Sequence, residues 1–423
     1  MTDVPGAAAP SLWRNRNYHL VLSSSIFSGF SNGVFALALP WLATLLTRDP
    51  VLIAMVAASV RLPWLLFTLP AGVWTDQADR RQLIARADMV RALLSVGIMA
   101  LAFNMEAVRG AGDADAGNGW GIWLLCLFGV VFGAAEVIRE NAAMTIVPSI
   151  VPPADLERAN GNMWSVSQIS GHFIGPPLAG FLIGLGIAVP FGFDAASFAA
   201  SAALIWLMAL PPRPLGGQRR FLPALREGLL WLWNSRQLLK LAIAVGVLNF
   251  FFMANFTILV LYSQEVLKLS AFGHGMLMMA AASGGVLGAL LGGRVQQHLG
   301  LHASMVVTLA GIAVAYGVLA GTSTVWVAAA ALCFEMFNRL VWSVVTVSYR
   351  QRHVPDVILG RINSLYRFLA WGPMPLGSLA GGWLVAAFAD PLGREAALHV
   401  PYMVGAAATA MLALYCARAL KLH

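Results

Sequence analysis

Gly72-Val73-Trp74-Thr75-Asp76-Gln77-Ala78-Asp79-Arg80-Arg81 is a short polar break between two long apolar runs, and its reading decides the fold. Each residue type in it has a physical use between helices. A glycine admits a second helix at close range, and an acid accepts from the free amides at a neighbouring helix N-terminus. Paired arginines supply cationic charge that an acid on another helix can latch. The stretch therefore predicts a tight, charged turn joining two packed helices.

The rest of the chain says where that turn sits. Of 423 residues, 59% are hydrophobic and 11% charged, against roughly 25% charged in an average soluble domain. This excludes a water-soluble globular fold. A membrane-spanning helix uses about 20 apolar residues, so twelve would consume most of the apolar content. Apolar runs bounded by Pro, Gly and charge fall at about 18–46, 51–75, 82–106, 119–143, 160–186, 188–210, 237–262, 271–293, 302–321, 324–349, 360–388 and 396–418. These are taken as spans 1 to 12, and an even number places both termini on one side. With the N-terminus inside, the cytoplasmic segments hold seventeen of the 27 Lys and Arg and the outer loops four. That bias predicts both termini in the cytoplasm. The run near Tyr18 is too long for the core of a signal peptide, so the first helix is expected to be retained.

The chain divides at 211–236. That segment opens with Pro211, Pro212, Pro214, Gly216 and Gly217, then places Leu222, Leu225, Leu229 and Leu232 at helical spacing among Arg219, Arg226 and Glu227. It reads as a cytoplasmic linker with an amphipathic helix on the inner membrane surface. Residues 1–210 and 237–423 then form two six-helix halves, and the halves look alike. Glu136-Val137-Ile138-Arg139-Glu140 in span 4 corresponds to Glu335-Met336-Phe337-Asn338-Arg339 in span 10. Val151-Pro152, Arg158 and Asn160 correspond to Val354-Pro355, Arg361 and Asn363, and Leu178-Ala179-Gly180 to Leu379-Ala380-Gly381. Nearly constant offsets point to an internal duplication. The counterpart of the opening stretch, Gly292-Gly293-Arg294-Val295-Gln296, keeps the glycines but has lost the acid and the arginine pair.

The 72–81 stretch resembles the loop signature of the major facilitator superfamily, G-x-x-x-D-x-x-G-R-R, with Asp79 where the usual pattern has glycine. In span 5, Gly171-His172-Phe173-Ile174-Gly175-Pro176-Pro177-Leu178-Ala179-Gly180 resembles the antiporter signature G-x-x-x-G-P-x-x-G-G, with Ala179 at the penultimate position. Glycines there favour close helix packing and proline a bend. The resemblance runs from Leu12-Trp13-Arg14-Asn15-Arg16 through Ala38-Leu39-Pro40-Trp41 to Arg158-Ala159-Asn160. The chain looks like the drug:proton antiporter branch that includes macrolide effluxers and enterobactin exporters. The resemblance implies a secondary transporter of twelve helices in two bundles, with spans 1, 4, 7 and 10 lining a central cavity. It further implies a gate at Gly72, Asp76, Arg80, Arg81, Arg139 and Glu140, and an antiporter motif at Gly171, Gly175, Pro176 and Gly180.

Ionisable groups inside the bilayer cost roughly 2.5–3.5 kcal/mol each and so need partners or a wet cavity. Arg61 lies deep in span 2, and its repeat counterpart is Ala281. Either an ion pair, with Glu136 as partner, or an anion or gating role explains it. Glu136, Arg139 and Glu140 share a face of span 4, as do Glu335, Arg339 and Trp342 on span 10; pairing of Glu335 with Arg339 is the plain structural reading. Relatives often carry an acid where Asn32 stands, so proton coupling must use another group: Glu136 and Glu335 lead, with His172 third. Asn32 on span 1, and Asn249 on span 7 with Phe250, Phe252 and Phe256, join Arg61, Arg339 and Trp342 as candidate cavity residues. Asp88 and Asp194 are expected to fix helix ends or the loop latch.

Other chemistry is not signalled. Cys126, Cys333 and Cys416 are isolated in apolar runs, with no metal or disulfide spacing. No GxxxxGK[ST] or HExxH occurs, and no local triad signature is present. No cofactor or nucleic acid is expected. The sequence predicts a monomeric inner-membrane transporter, not an enzyme, whose partners are a small-molecule substrate, protons and lipids. Proton-coupled efflux of a drug, siderophore or secondary metabolite is the leading function; an importer or lipid-flipping facilitator for an anionic substrate, and a non-transporting sensor, are the alternatives.

Overall fold

The computed structural model describes residues 12–110, 119–209, 230–354 and 356–419, without the side chains of 68–77, 105–110, 119, 356–361, 363 and 364. The side chains of Gly72 and Asp76 therefore lie outside the described residues, as do residues 210–229 of the linker. The described part of that linker is helical at 230–234, with Leu232 fully buried.

The described backbone is helical, without strands. Spans 1 to 4 are Arg16–Leu46, Pro50–Gln77, Arg80–Gly110 and Gly119–Ile150. Local chemistry sets their starts. Asn15 caps span 1 by accepting from the Tyr18 amide, and Asp49 caps span 2, with Pro50 at the first helical position. Asp79, the residue that departs from the loop signature, accepts from the Arg81 amide at 2.9 Å at the start of span 3.

Span 5 is interrupted at the Gly-Pro motif where a bend was expected. An α-helix over Leu156–Ser167 widens into a π-helix over Gln168–Ile174 and resumes at Gly175–Leu185. Pro176 and Pro177 have no amide hydrogen for the carbonyls a turn earlier, so the backbone opens to a wider turn. Span 11 is broken at the corresponding place, with Asp356–Trp371 and Met374–Leu392 separated by Gly372-Pro373. Span 6 is Val189–Trp206. Spans 7 to 10 are Arg236–Leu261 with a π-helical end at Tyr262–Val266, Ala271–Leu299, Leu301–Gly321 and Val325–His353. Span 12 comprises Arg394–Ala397 and Val400–Ala419.

Among the described residues, nine helices are long and apolar enough to cross a membrane. Spans 3, 5 and 11 are not counted among them: span 3 opens with Arg80, Arg81, Arg86, Asp88 and Arg91, and the other two are broken. The twelve-helix count is consistent with all of this. Spans 4 and 10 run about two turns and one turn past their expected ends, to Ile150 and His353.

Spans 1, 3, 4 and 6 pack together, as do spans 7, 9, 10, 11 and 12; the two groups meet along span 2 against span 11 and span 5 against span 8. Glycines set these approaches. A Cβ on Gly175 would lie 2.7 Å from Gly33 Cα on span 1, and one on Gly180 would lie 2.6 Å from Phe272 Cα on span 8. The glycines of the span 5 motif thus face both its own bundle and the other one.

Candidate functional site

Between the two bundles, spans 1, 2, 7 and 8 line a narrow, partly open space. Its walls are mostly Phe35, Leu39, Ile53, Val60, Met253, Phe256, Val260 and Met278; Arg61, Thr257 and His274 supply the polar atoms. Ligand sites combine apolar walls with a few placed polar groups, as this space does. His274 is buried and its Nδ1 is 2.8 Å from Ser263 Oγ, so one ring nitrogen is already engaged within the C-terminal bundle.

Arg61 is half-buried in this wall. Its expected pairing with Glu136 does not form: Glu136 Oε2 accepts from Trp64 Nε1 at 3.4 Å, and no ion pair joins it to Arg61. His172 is exposed on the π-helical part of span 5. Glycines on span 4 fix the approach of span 2, because a Cβ at Gly133 would overlap the Val60 carbonyl and be 3.2 Å from Pro63.

The remaining candidates lie elsewhere. Asn32, Asn249, Arg339 and Trp342 are not among the residues lining this space. Asn32 is turned into the N-terminal bundle, where its Oδ1 accepts from Arg91. Arg339 Nε binds Glu335 Oε1 at 2.8 Å, one turn away on the same helix. The Arg339 guanidinium also donates to Asn249 Oδ1 at 3.3 Å and to the Tyr316 hydroxyl at 3.2 Å, and it lies 4.1 Å from the Phe252 ring centre. Glu335 is 2% exposed and accepts from Tyr316 as well. Trp342 is buried in the core of the same half.

Sequence reasoning missed the most connected group of charges. Asp88 and Arg91, one turn apart on span 3, are both fully buried, with Arg91 Nη1 3.1 Å from Asp88 Oδ1. Asp88 also binds Arg139 Nε of span 4 at 3.0 Å and accepts from Ser201 Oγ of span 6 at 2.6 Å. The Arg91 guanidinium lies 3.9 Å from the centre of the Phe198 ring. Asp88 was expected at a helix end; it sits inside a four-helix junction because span 3 starts early enough to carry it a full two turns inward. Asp194 is also fully buried, and neither carboxylate oxygen meets hydrogen-bond geometry with a partner among the described residues. The i, i+3 spacing of Asp88 and Arg91 was the available signal.

Of the gate residues, Arg80 donates to the Thr145 carbonyl at 2.7 Å and Arg81 to the Met208 carbonyl at 2.8 Å. Glu140 pairs with Arg139 at 3.4 Å rather than with either of them. At the opposite end of the helices the two halves are tied together. Arg394 binds Glu265 at 2.8 Å and donates to the Arg48 carbonyl at 2.7 Å. Gln264 accepts from Arg48 at 2.8 Å and donates to Thr44 at 2.9 Å. On the other side of Arg61 from this cluster, Trp64 of span 2 meets Trp371 of span 11 edge-on, with ring centres 4.8 Å apart.

Comparison with known proteins supplies the family. Residues 21–375 match the Major Facilitator Superfamily. The chain is 26% identical over 398 residues to the multidrug efflux pump Tap of Mycolicibacterium fortuitum, covering 91% of each protein. It is 26% identical over 355 residues to the enterobactin exporter EntS of Citrobacter koseri, covering 82% of this chain and 80% of that one. In fold it is similar to a bacterial homologue of the iron transporter ferroportin in an inward-facing state, with a TM-score of 0.76 at 17% identity, covering 96% of this chain and 100% of that one.

Proposed function

The chain belongs to the major facilitator superfamily, and on that premise we propose that it exports an amphipathic small molecule in exchange for protons. Substrate is a drug, siderophore or secondary metabolite, taken up from the cytoplasm and released outside as the two bundles rock about the space between them. The protein acts as a monomer in the bacterial inner membrane, with both termini inside. The observation that carries this reading is the inter-bundle space, apolar except for Arg61, Thr257 and His274. Its chemistry suits a molecule with a large apolar body and a small polar part. Two similar proteins, a multidrug efflux pump and an enterobactin exporter, support the outward direction.

The Arg394, Glu265 and Arg48 cluster holds the outer ends of the bundles together in this conformation. Outward release then requires these contacts to part. Protons enter the cycle through Glu136 and Glu335, with His172 third. Glu136 is the best placed of them, because only a weak contact to Trp64 holds it. Glu335 stays bound to Arg339 until that pair opens.

The test is transport into inside-out vesicles. An imposed proton gradient should drive accumulation of substrate, and Glu136→Gln should abolish the response to the gradient while leaving downhill flux. Indifference to the gradient across a broad panel of drugs and siderophores would sink the exchange mechanism. Full gradient-driven transport in both Glu136→Gln and Glu335→Gln would remove these residues from the proton path.

A further inference from the structure

Arg61 differs from the other arginines held deep in the spans. Arg91 and Arg139 are bound to Asp88, and Arg339 to Glu335. Arg367, on the inner side of the Trp64 and Trp371 contact, lies 4.8 Å from the Trp371 ring centre, and Arg350 lies 4.1 Å from that of Tyr366. Arg61 makes no hydrogen bond, ion pair or ring contact with any described residue. Glu136, the acid considered as its partner, forms no ion pair with it and makes a 3.4 Å contact with Trp64. A half-buried guanidinium with five free donors therefore faces a space whose other walls are apolar apart from Thr257 and His274.

Its position is also enforced rather than loose. Span 2 is held against span 4 at Gly129 and Gly133, where added Cβ atoms would overlap Ser59 and the Val60 carbonyl. The side chain following Val60 is thus delivered to the wall of the inter-bundle space by backbone contact. The scaffold itself does not require a cation here, since the duplicated half has Ala281 at the equivalent place on span 8.

We propose that Arg61 is the recognition site for the negatively charged head of the substrate, and that the preferred ligand is an amphipathic organic anion, a carboxylate or phosphate on an apolar body. The planar fork of the guanidinium pairs with two oxygens of such a group, while Phe35, Phe256 and Met278 cover the apolar part. This deepens the export reading above and rests on the same inter-bundle space. Lipid headgroups and soluble metabolites share this chemistry.

The experiment is equilibrium binding to the purified full chain in a nonionic detergent, with no proton gradient. The probes are 2-naphthoate, 2-naphthamide and 2-naphthylmethylammonium, which share a ring and differ in charge, and a short-chain soluble phosphatidylglycerol. Wild-type protein should bind naphthoate or phosphatidylglycerol about tenfold or more tighter than the neutral amide, with the cation weakest. Arg61→Gln should lose that preference, and Arg61→Lys should retain part of it. Thermal melting of each ligand-free variant reports its folding, and the charge preference of the wild type needs no variant at all. Naphthoate binding points to a soluble substrate and phosphatidylglycerol binding alone to a lipid, both through the same site. The proposal fails if the wild type binds none of the probes, if it binds the amide or the cation as tightly as the anions, or if a folded Arg61→Gln keeps the anion preference. Anion-selective binding without gradient-driven transport would leave this site standing and remove the exchange mechanism; the converse result would do the reverse.

Discussion

The two halves of the molecule bury charge in different ways, although they derive from one repeated unit. In the N-terminal half, Asp88, Arg91 and Arg139 join spans 3 and 4, and Ser201 and Asn32 extend the network to spans 6 and 1. In the C-terminal half, the positions equivalent by the repeat offsets are Thr308, Gly311 and Asn338. Thr308 bonds only to carbonyls of its own helix, and the Asn338 side chain lies over Gly311, where an added Cβ would be 2.5 Å from Asn338 Oδ1. The charge of that half is instead an i, i+4 pair on one helix, Glu335 with Arg339, closed over by Tyr316 and Asn249. The scaffold therefore stands without ions at this junction, and the N-terminal ions are an addition that cross-links helices.

The largest effect should follow from removing the shared acid. Asp88→Asn leaves Arg91 buried without its carboxylate and Arg139 with only the 3.4 Å contact to Glu140, and breaking such a group costs about 3–5 kcal/mol. Thermal unfolding in detergent should show a collapse of stability, and a cost below about 1 kcal/mol would mean the network does not hold the half together. Asp194→Asn is the sharper companion: neither oxygen of Asp194 meets hydrogen-bond geometry with a partner among the described residues, so the neutral amide should cost about 1 kcal/mol or less. Equal losses in the two variants would break the distinction drawn between these buried acids.

A smaller effect is expected in the C-terminal half. Tyr316→Phe removes a hydroxyl that donates to Glu335 and accepts from Arg339, at a cost of about 1–3 kcal/mol. The ion pair itself remains, and its persistence can be read from a double-mutant cycle with Glu335→Gln. The smallest effect belongs to Thr308→Val, the counterpart of Asp88. Its hydroxyl bonds only to its own helix, so the change should stay within about 1 kcal/mol. A Thr308→Val loss as large as that of Asp88→Asn would erase the asymmetry between the halves.

Much of the fold was legible in order along the chain. Apolar run length gave the spans, and the charge bias gave an expected orientation. Polar breaks gave the turns. The interruption of spans 5 and 11 was only half legible: Gly175-Pro176 marked a bend, but the π-helical turn depends on which carbonyls the two prolines leave without donors. Within the site, the pair Glu335 and Arg339 was readable because both residues stand on one helix, where spacing alone sets proximity. Arg61 with Glu136 was not readable in the same way, since their helices are different and the rotation of each decides who meets whom.

The sequence by itself determined the class of molecule, because hydrophobic length and the expense of intramembrane charge act on each segment independently. It also singled out Arg61, because a charge deep in an apolar run is legible whatever its partner. Only the tertiary structure decided that Asp88 serves two arginines and that Asn32 and Asn249 turn into their own bundles. It likewise decided that Arg61 faces the space between the bundles with no acid bound to it. Partner choice in a helical bundle follows from axial rotation and close approach, which are set here by contacts such as Gly133 on Val60 and Gly175 on Gly33. Such contacts join residues far apart in the chain, and no local pattern encodes them.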